Sequence, residues 1–287
     1  NKKMKIGNYE LKSLMTSYFG LDGGAMFGII PKPLWESKLA PDDKNRIPMC
    51  TRNLLLVSED KKIIIDTGNG DKWNEKLKSI YNIRTDEVNL EQSLKENELI
   101  PDDITDVICT HLHFDHVGGN TMFDSNGKLI PTFPNATYWI PETNWNLANQ
   151  PTVKDKASYF SHNWSVLAEN DMVKFVKGNE QFLEGIEFII TNGHTTGQQH
   201  PLICDQSTKL LYGADLFPTS MHIDIPWVMA YDLYPLMTIK EKMDILPTMV
   251  DENWILFFEH DVTTECATLD YDGKRYAVKD SFKLNGS

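Results

Sequence analysis

One hexapeptide constrains this chain more than any other stretch: His111-Leu112-His113-Phe114-Asp115-His116. Three of the chain's 8 histidines fall within it, beside a carboxylate. Residues two apart on an extended or turning backbone point to the same side, so His111 and His113 can reach one ion. Asp115 and His116, on the turn just beyond, can reach a second. The alternative, a solvated polar turn, does not account for so dense a set of metal-ligating side chains. Imidazole and carboxylate ligands suit zinc, while iron, manganese or cobalt occupy similar nitrogen and oxygen sites.

The run sits where a strand stops. Asp106–Thr110 reads as a short buried strand that delivers His111 at its C-terminal end. Upstream, Asn53–Val57 and Lys62–Asp66 read as a hairpin across the polar turn 58–61, ending in the turn cluster Asp66-Thr67-Gly68-Asn69-Gly70, and a helix is predicted around Leu90–Asn97. Further strands are predicted at Glu187–Thr191, His200–Cys204, Leu210–Ala214 and Trp254–Phe258, with helices near Glu142–Ala148, His162–Glu169 and Ile239–Val250. Most of the later strands run into a potential ligand: His194 just beyond Thr191, Asp215 after Ala214, and Glu259-His260-Asp261 after Phe258. Strand ends converging on one rim are what an active site at the edge of layered sheets needs. A lone histidine such as His194 is commonly a satisfied polar residue. The flanking Gly193 and Gly197 lessen that reading, because they let the backbone turn tightly and approach a ligand.

Composition removes other classes. The chain has 287 residues, 41% of them hydrophobic, enough for a substantial core, and no repeat or linker divides it, so a single domain over residues 1–287 is expected. A formal charge of −13 without a basic patch disfavours a nucleic-acid partner. No apolar run is long enough to span a membrane. Asn1-Lys2-Lys3-Met4-Lys5 carries no signal-peptide core, so a soluble, cytoplasmic protein is expected, with a secreted or periplasmic one open if a leader was removed. Cys50, Cys109, Cys204 and Cys266 form no Cys-x-x-Cys pair and read as scattered buried thiols.

Taken together, Asp66-Thr67-Gly68, His111-x-His113-x-Asp115-His116, Gly193-His194-Thr195-x-Gly197, Gly213-Ala214-Asp215 and the late His260 resemble the metallo-β-lactamase-fold superfamily over nearly the whole chain. The resemblance implies an α/β protein, an αβ/βα four-layer sandwich with two mixed β-sheets flanked by helices. It implies that His111, His113 and His194 hold one metal, that Asp115, His116 and His260 hold a second, and that Asp215 bridges them. Asp66 is then a structural carboxylate bracing the site. The cofactors implied are two divalent ions per chain, Zn(II) foremost.

Superfamily membership does not fix the reaction. True β-lactamases of this fold generally lack the bridging aspartate, the flavodiiron branch has Glu where this chain has His113, the nucleases act on RNA, and glyoxalase II normally adds a basic helical domain. The hexapeptide and the stretch from Gly20 to Trp35 are similar to the quorum-quenching N-acyl-homoserine lactone lactonases, related to methyl parathion hydrolase. A dinuclear hydrolase that opens the lactone ring by attack of a metal-bridging hydroxide is the first expectation. An organophosphate triesterase or other small-ester hydrolase is the second, and a metal-stabilised ligand-binding protein is the non-enzymatic one. The partner expected is a small neutral acyl lactone, with a homodimer left open.

Two cations sharing a water lower its pKa toward neutrality, and Asp115 is the candidate acid/base. Many such lactonases carry a Tyr three residues after the bridging Asp, where this chain has Pro218. His222 and Tyr231 are candidates for that catalytic contact. Phe114, Met26, Phe27 and Phe217 are candidate substrate-binding residues, with Trp35 and Trp227 behind them. Ordinary packing is the alternative for each.

Overall fold

The computed structural model describes residues 3–178 and 183–284. The first sheet contains β1 (Lys5–Ile6), β2 (Tyr9–Asp22), β3 (Arg46–Val57), β4 (Lys62–Ile65), β5 (Asp106–Ile108), β8 (Thr137–Pro141) and β9 (Val173–Val176), adjacent in that order, with a separate hairpin of β6 (Thr121–Phe123) and β7 (Leu129–Pro131). From β1 to β4 the pairing is antiparallel; from β4 to β9 it is parallel. The second sheet runs β10 (Ile186–Thr191), β11 (Gln198–Cys204), β12 (Lys209–Tyr212), β13 (Ile255–Phe257), β14 (Cys266–Tyr271) and β15 (Tyr276–Phe282). It is antiparallel except between β12 and β13. Helical segments in chain order are α1 (Gly23–Phe27), α2 (Lys32–Trp35), α3 (Glu75–Tyr81), α4 (Leu90–Glu96), α5 (Phe114–Val117), α6 (Glu142–Asn149), α7 (Ser165–Glu169) and α8 (Pro235–Asp251).

Alternation along each strand explains the layering. Leu54, Leu56, Ile63, Ile65 and Ile108 point into one core with Phe188, Ile203, Leu210, Tyr212 and Phe257 of the second sheet. Their neighbours Leu55, Ile64 and Val107 face the other way, onto Leu94 of α4, Ala148 of α6 and Leu167 of α7. On the second sheet Leu211 and Leu256 face Leu246 and Met249 of α8. The strands therefore read as continuous apolar runs because both of their faces are covered. Each such side chain contributes ~1.5–3 kcal/mol by burial. The outcome is the four-layer sandwich of two mixed sheets between helices. Among the described residues no helix is long and apolar enough to cross a membrane. The cysteines are free; Cys50, Cys109 and Cys266 are buried and Cys204 is half-buried.

Several boundaries differ from expectation, and the differences lie at the site. The strand expected to run to Ala214 stops at Tyr212, and Ala214 turns at φ 41°, in the left-handed region where a side chain is strained. Asp66, just past β4, has φ 55°. Both bends redirect a carboxylate off a strand end. The helix expected from His162 begins only at Ser165, after a 3-10 turn over Ser161–Asn163.

The loop after Asp66 packs backbone to backbone on the turn that follows His116. A Cβ on Gly118 would lie 2.0 Å from the Asn69 carbonyl oxygen, with no flexible side chain to give way. Gly118→Ala is expected to lower stability by about 3 kcal/mol, as forced overpacking does, read by denaturant unfolding of the two proteins. An unchanged midpoint would contradict this packing.

Candidate metal centre

Strand ends deliver the polar residues, and buried hydrogen bonds fix their angles. Past β5, Thr110 donates from its backbone N and from its Oγ1 to the two oxygens of Asp66, each at 2.7 Å. Thr110 Oγ1 lies 3.0 Å from His111 Nδ1. His116 Nδ1 stands 2.9 Å from Asp66 Oδ2, so the brace expected of Asp66 is in place. Asn144 on α6 ties two loops together: its Oδ1 accepts from Leu112 N, and its Nδ2 donates to Thr195 Oγ1 and Thr196 O. His194 Nδ1 is 2.9 Å from Asp232 Oδ1, and His260 Nδ1 is 2.9 Å from Cys50 O. Gln198 Oε1 accepts from Asp215 N.

Except on His113, whose buried Nε2 has no hydrogen-bond partner among the described residues, the outward ring nitrogens are thus occupied, and the inward ones converge. His113 Nδ1 is 3.1 Å from both His111 Nε2 and His194 Nε2. Beside it, His260 Nε2 is 3.2 Å from His116 Nε2, and Asp115 Oδ2 lies 3.5 and 3.8 Å from those two nitrogens. Asp215 reaches both groups, with Oδ2 3.0 Å from His194 Nε2 and 3.4 Å from His116 Nε2, and Oδ1 3.2 Å from His260 Nε2. His111, His113, His194 and Asp215 could hold one ion, and Asp115, His116 and His260 another. Imidazole nitrogens facing one another at such distances cannot all find a proton donor among themselves, whereas a cation satisfies every lone pair at once. The donor set fits a metal.

The charges divide the histidines into two kinds. Burial, followed by the neighbouring imidazoles, holds His111 and His113 well below the usual histidine range, so both present lone pairs at neutral pH. Burial also pulls on His116, His194 and His260, but the carboxylates outweigh it: Glu259 and Asp215 raise His116 well above the histidine range, and Asp215, aided by Asp232 and Glu259 respectively, raises His194 and His260 to about 9. Asp215 is held well below the carboxylate range despite its burial, by His116 and His194.

A cavity of about 150 Å³ opens onto both clusters, its wall including Met26, Phe114, Tyr81, Tyr231, Met229 and Lys154. Met26, Phe114 and Tyr231 therefore stand where substrate would sit. Other candidates do not. Phe27 is fully buried, stacked on His222 and tilted against Trp35, and Phe217 is fully buried under α8. His222 has both ring nitrogens committed, Nδ1 2.7 Å from Thr219 Oγ1 and Nε2 2.7 Å from Met26 O, so it is a core histidine behind the pocket wall. Trp35 and Trp227 pack in that same core cluster. A larger cavity, about 430 Å³, lies beyond Gly119 and has no residue of either histidine cluster in its wall.

With this geometry established, comparison with known proteins is informative. The metallo-beta-lactamase superfamily pattern matches residues 50–258. The chain belongs to the metallo-beta-lactamase superfamily. An N-acyl homoserine lactonase from Bacillus cereus is 25% identical over 241 residues, 80% of this chain and 87% of that protein. The structure of a probable metal-dependent hydrolase from Staphylococcus aureus superposes with TM-score 0.86 at 29% identity, covering 97% of this chain and 100% of that one. AidC, a dizinc quorum-quenching lactonase in complex with a product, superposes with TM-score 0.79 at 23% identity over 98% of this chain and 97% of its own. This chain is a hydrolase of the superfamily with lactonases among its homologues.

Within the metallo-beta-lactamase frame, two residues beside the clusters, Asp232 and Tyr81, escaped sequence reading, and a third, Glu259, was read only as part of a polar strand end. Asp232 orients His194 from 38 residues away, and Tyr81 joins the pocket wall from α3. Glu259 lies 2.9 Å from His116 Nδ1. A strand end followed by a run of polar residues was the available signal for Glu259. Nothing local marked the other two.

Proposed function

We propose that this chain is a dinuclear metal-dependent lactonase that opens the ring of N-acyl-homoserine lactones. The observation that carries the reading is Asp215, which reaches both histidine clusters at the floor of a small, mainly apolar cavity. His111, His113 and His194 would hold one ion, Asp115, His116 and His260 the other, and Asp215 both; Zn(II) suits this donor set. When bound, such ions supply a water of near-neutral pKa and a Lewis acid for the carbonyl.

The chain's own groups do the rest. Asp115 belongs to the second cluster and also lines the cavity, so its carboxylate is placed to accept a proton from the attacking water and return it to the departing alkoxide oxygen. Met26 and Phe114 provide apolar wall for an acyl chain. Pro218 uses its carbonyl to accept from His260 N, which commits that position to ligand geometry. Tyr231 and Tyr81, both in the cavity wall, offer hydroxyls that could contact the substrate. The homology to N-acyl homoserine lactonases supports the substrate class.

The test is metal per chain, followed by hydrolysis of acyl-homoserine lactones, phosphotriesters and a cephalosporin. Two ions and lactone opening that is lost to chelator and restored by zinc are expected. Fast phosphotriester turnover with negligible lactone hydrolysis would overturn the assignment.

The raised histidines give a further expectation. His194 and His260 hold protons in the metal-free protein up to pH about 9, and ions must displace them. Ion affinity should therefore rise steadily from pH 6.5 to 9, with protons released on binding at pH 7, read by chelator competition and an indicator dye. Binding at pH 7 without proton release would contradict protonation of these histidines.

A further inference from the structure

His116 is held by more acid than one imidazole N–H can serve. Its Nδ1 lies 2.9 Å from Asp66 Oδ2 and also 2.9 Å from Glu259 Oε2, and all three side chains are fully buried. One N–H makes one strong hydrogen bond at a time, and here Asp66 takes it, so Glu259 Oε2 sits against the same nitrogen, buried and without a hydrogen bond of its own. Asp66 is already satisfied by the Thr110 backbone N and hydroxyl. Glu259 is anchored through its other oxygen, where Oε1 accepts from Asn53 Nδ2 at 3.0 Å, and Asn53 Oδ1 in turn accepts from Thr16 Oγ1 at 2.8 Å. A buried acid with this little solvation is destabilising unless its neighbours use it.

Its backbone setting is equally specific. Arg52 N donates to Glu259 O, and Cys50 N to His260 O, so β3 pins this dipeptide along its length. From there the two side chains clasp one ring: Glu259 meets His116 at Nδ1, while His260 Nε2 stands 3.2 Å from His116 Nε2.

We propose that Glu259 is a positioning residue that, together with Asp66, fixes the His116 ring and thereby sets the affinity of the ion held by Asp115, His116 and His260. The inference rests on the two-ion reading above. Carboxylates behind a ligating imidazole lock its tautomer and raise its basicity, and losing one typically weakens metal binding ~10–100-fold.

The experiment titrates wild type, E259A and E259Q with Zn(II) against a chromophoric chelator, alongside thermal melts of the metal-free proteins. Wild type should bind two ions. E259A should keep one ion at wild-type affinity and bind the other ~10–100-fold more weakly. E259Q retains a carbonyl oxygen for Nδ1 but not the charge, and should recover only part of that loss, leaving the second ion several-fold weaker than in wild type. A merely structural role would lower the melting temperature, or weaken both ions alike, without this split, and would overturn the proposal. Unchanged affinity for both ions in E259A overturns it too. A third ion bound by wild type and missing in E259A also does, by making Asp66, His116 and Glu259 a site of their own. Where E259A fails to fold, E259Q decides: a several-fold weaker second ion supports the role and an unchanged one overturns it. Fewer than two ions on wild type would instead refute the two-ion reading, and this inference with it.

Discussion

Asp215→Ala is expected to strip tight metal binding from the site and to cut lactone hydrolysis at least about a thousand-fold. Asp215 stands within 3.4 Å of nitrogens from both histidine groups. On the proposed two-ion reading, removing it would take a ligand from each ion and leave the facing imidazoles without the negative charge that offsets two cations. Metal analysis after dialysis and kcat/KM with added zinc check both halves. Two tightly held ions in the variant would mean that Asp215 does not bridge.

The same substitution has a signature in the metal-free protein. Folded-state pKa values of about 9 for His194 and His260 exceed the unfolded value near 6.5. Between these limits the folded chain keeps protons that the unfolded chain has lost, so this contribution is complete below pH 6.5 and disappears as pH rises through 9. Asp215 is a main cause of both shifts, so the stability difference between wild type and D215A should shrink over that interval. Comparing the two proteins cancels the opposite trends of buried Lys72 and Lys242, whose pKa values are pulled down to about 8 and 7. A pH-independent difference would show that Asp215 does not set the histidines' charge.

Asp115→Asn should behave differently, with both ions retained and kcat reduced ~10²–10⁴-fold, the range associated with a lost general acid/base. The amide keeps an oxygen for His116 and His260, whose Nε2 atoms lie 3.8 and 3.5 Å from Asp115 Oδ2, but it cannot accept a proton. Rate with full metal occupancy is therefore the deciding measurement. Turnover near the wild-type value would remove Asp115 from the proton path and leave it a ligand only.

Much of this centre was legible in the chain because its residues are local or sit at strand ends. His111, His113, Asp115 and His116 lie within one turn, and the apolar runs Leu54-Leu55-Leu56 and Ile63-Ile64-Ile65 announce strands buried on both faces. The longest strand, β2, was not, because a bulge between Met15 and Ser17 breaks its alternation. Nor were β14 and β15 anticipated; the latter is largely exposed and carries little apolar pattern.

By itself, then, the sequence determined several strands buried on both faces and the clustering of Asp115 and His116 beside His111 and His113, while the layers were expected only from the family resemblance. Side-chain period and ligand chemistry are properties of short segments. Only the tertiary structure decided which aromatic residues line the cavity and which carboxylates stand behind the clustered imidazoles. Phe114 and Phe217 are the same residue type, each next to a ligand or two positions from one, yet Phe114 lines the cavity and Phe217 is sealed under α8. Asp232 and Glu259 reach His194 and His116 across 38 and 143 positions, since the partners of a buried imidazole are set by where strand ends meet.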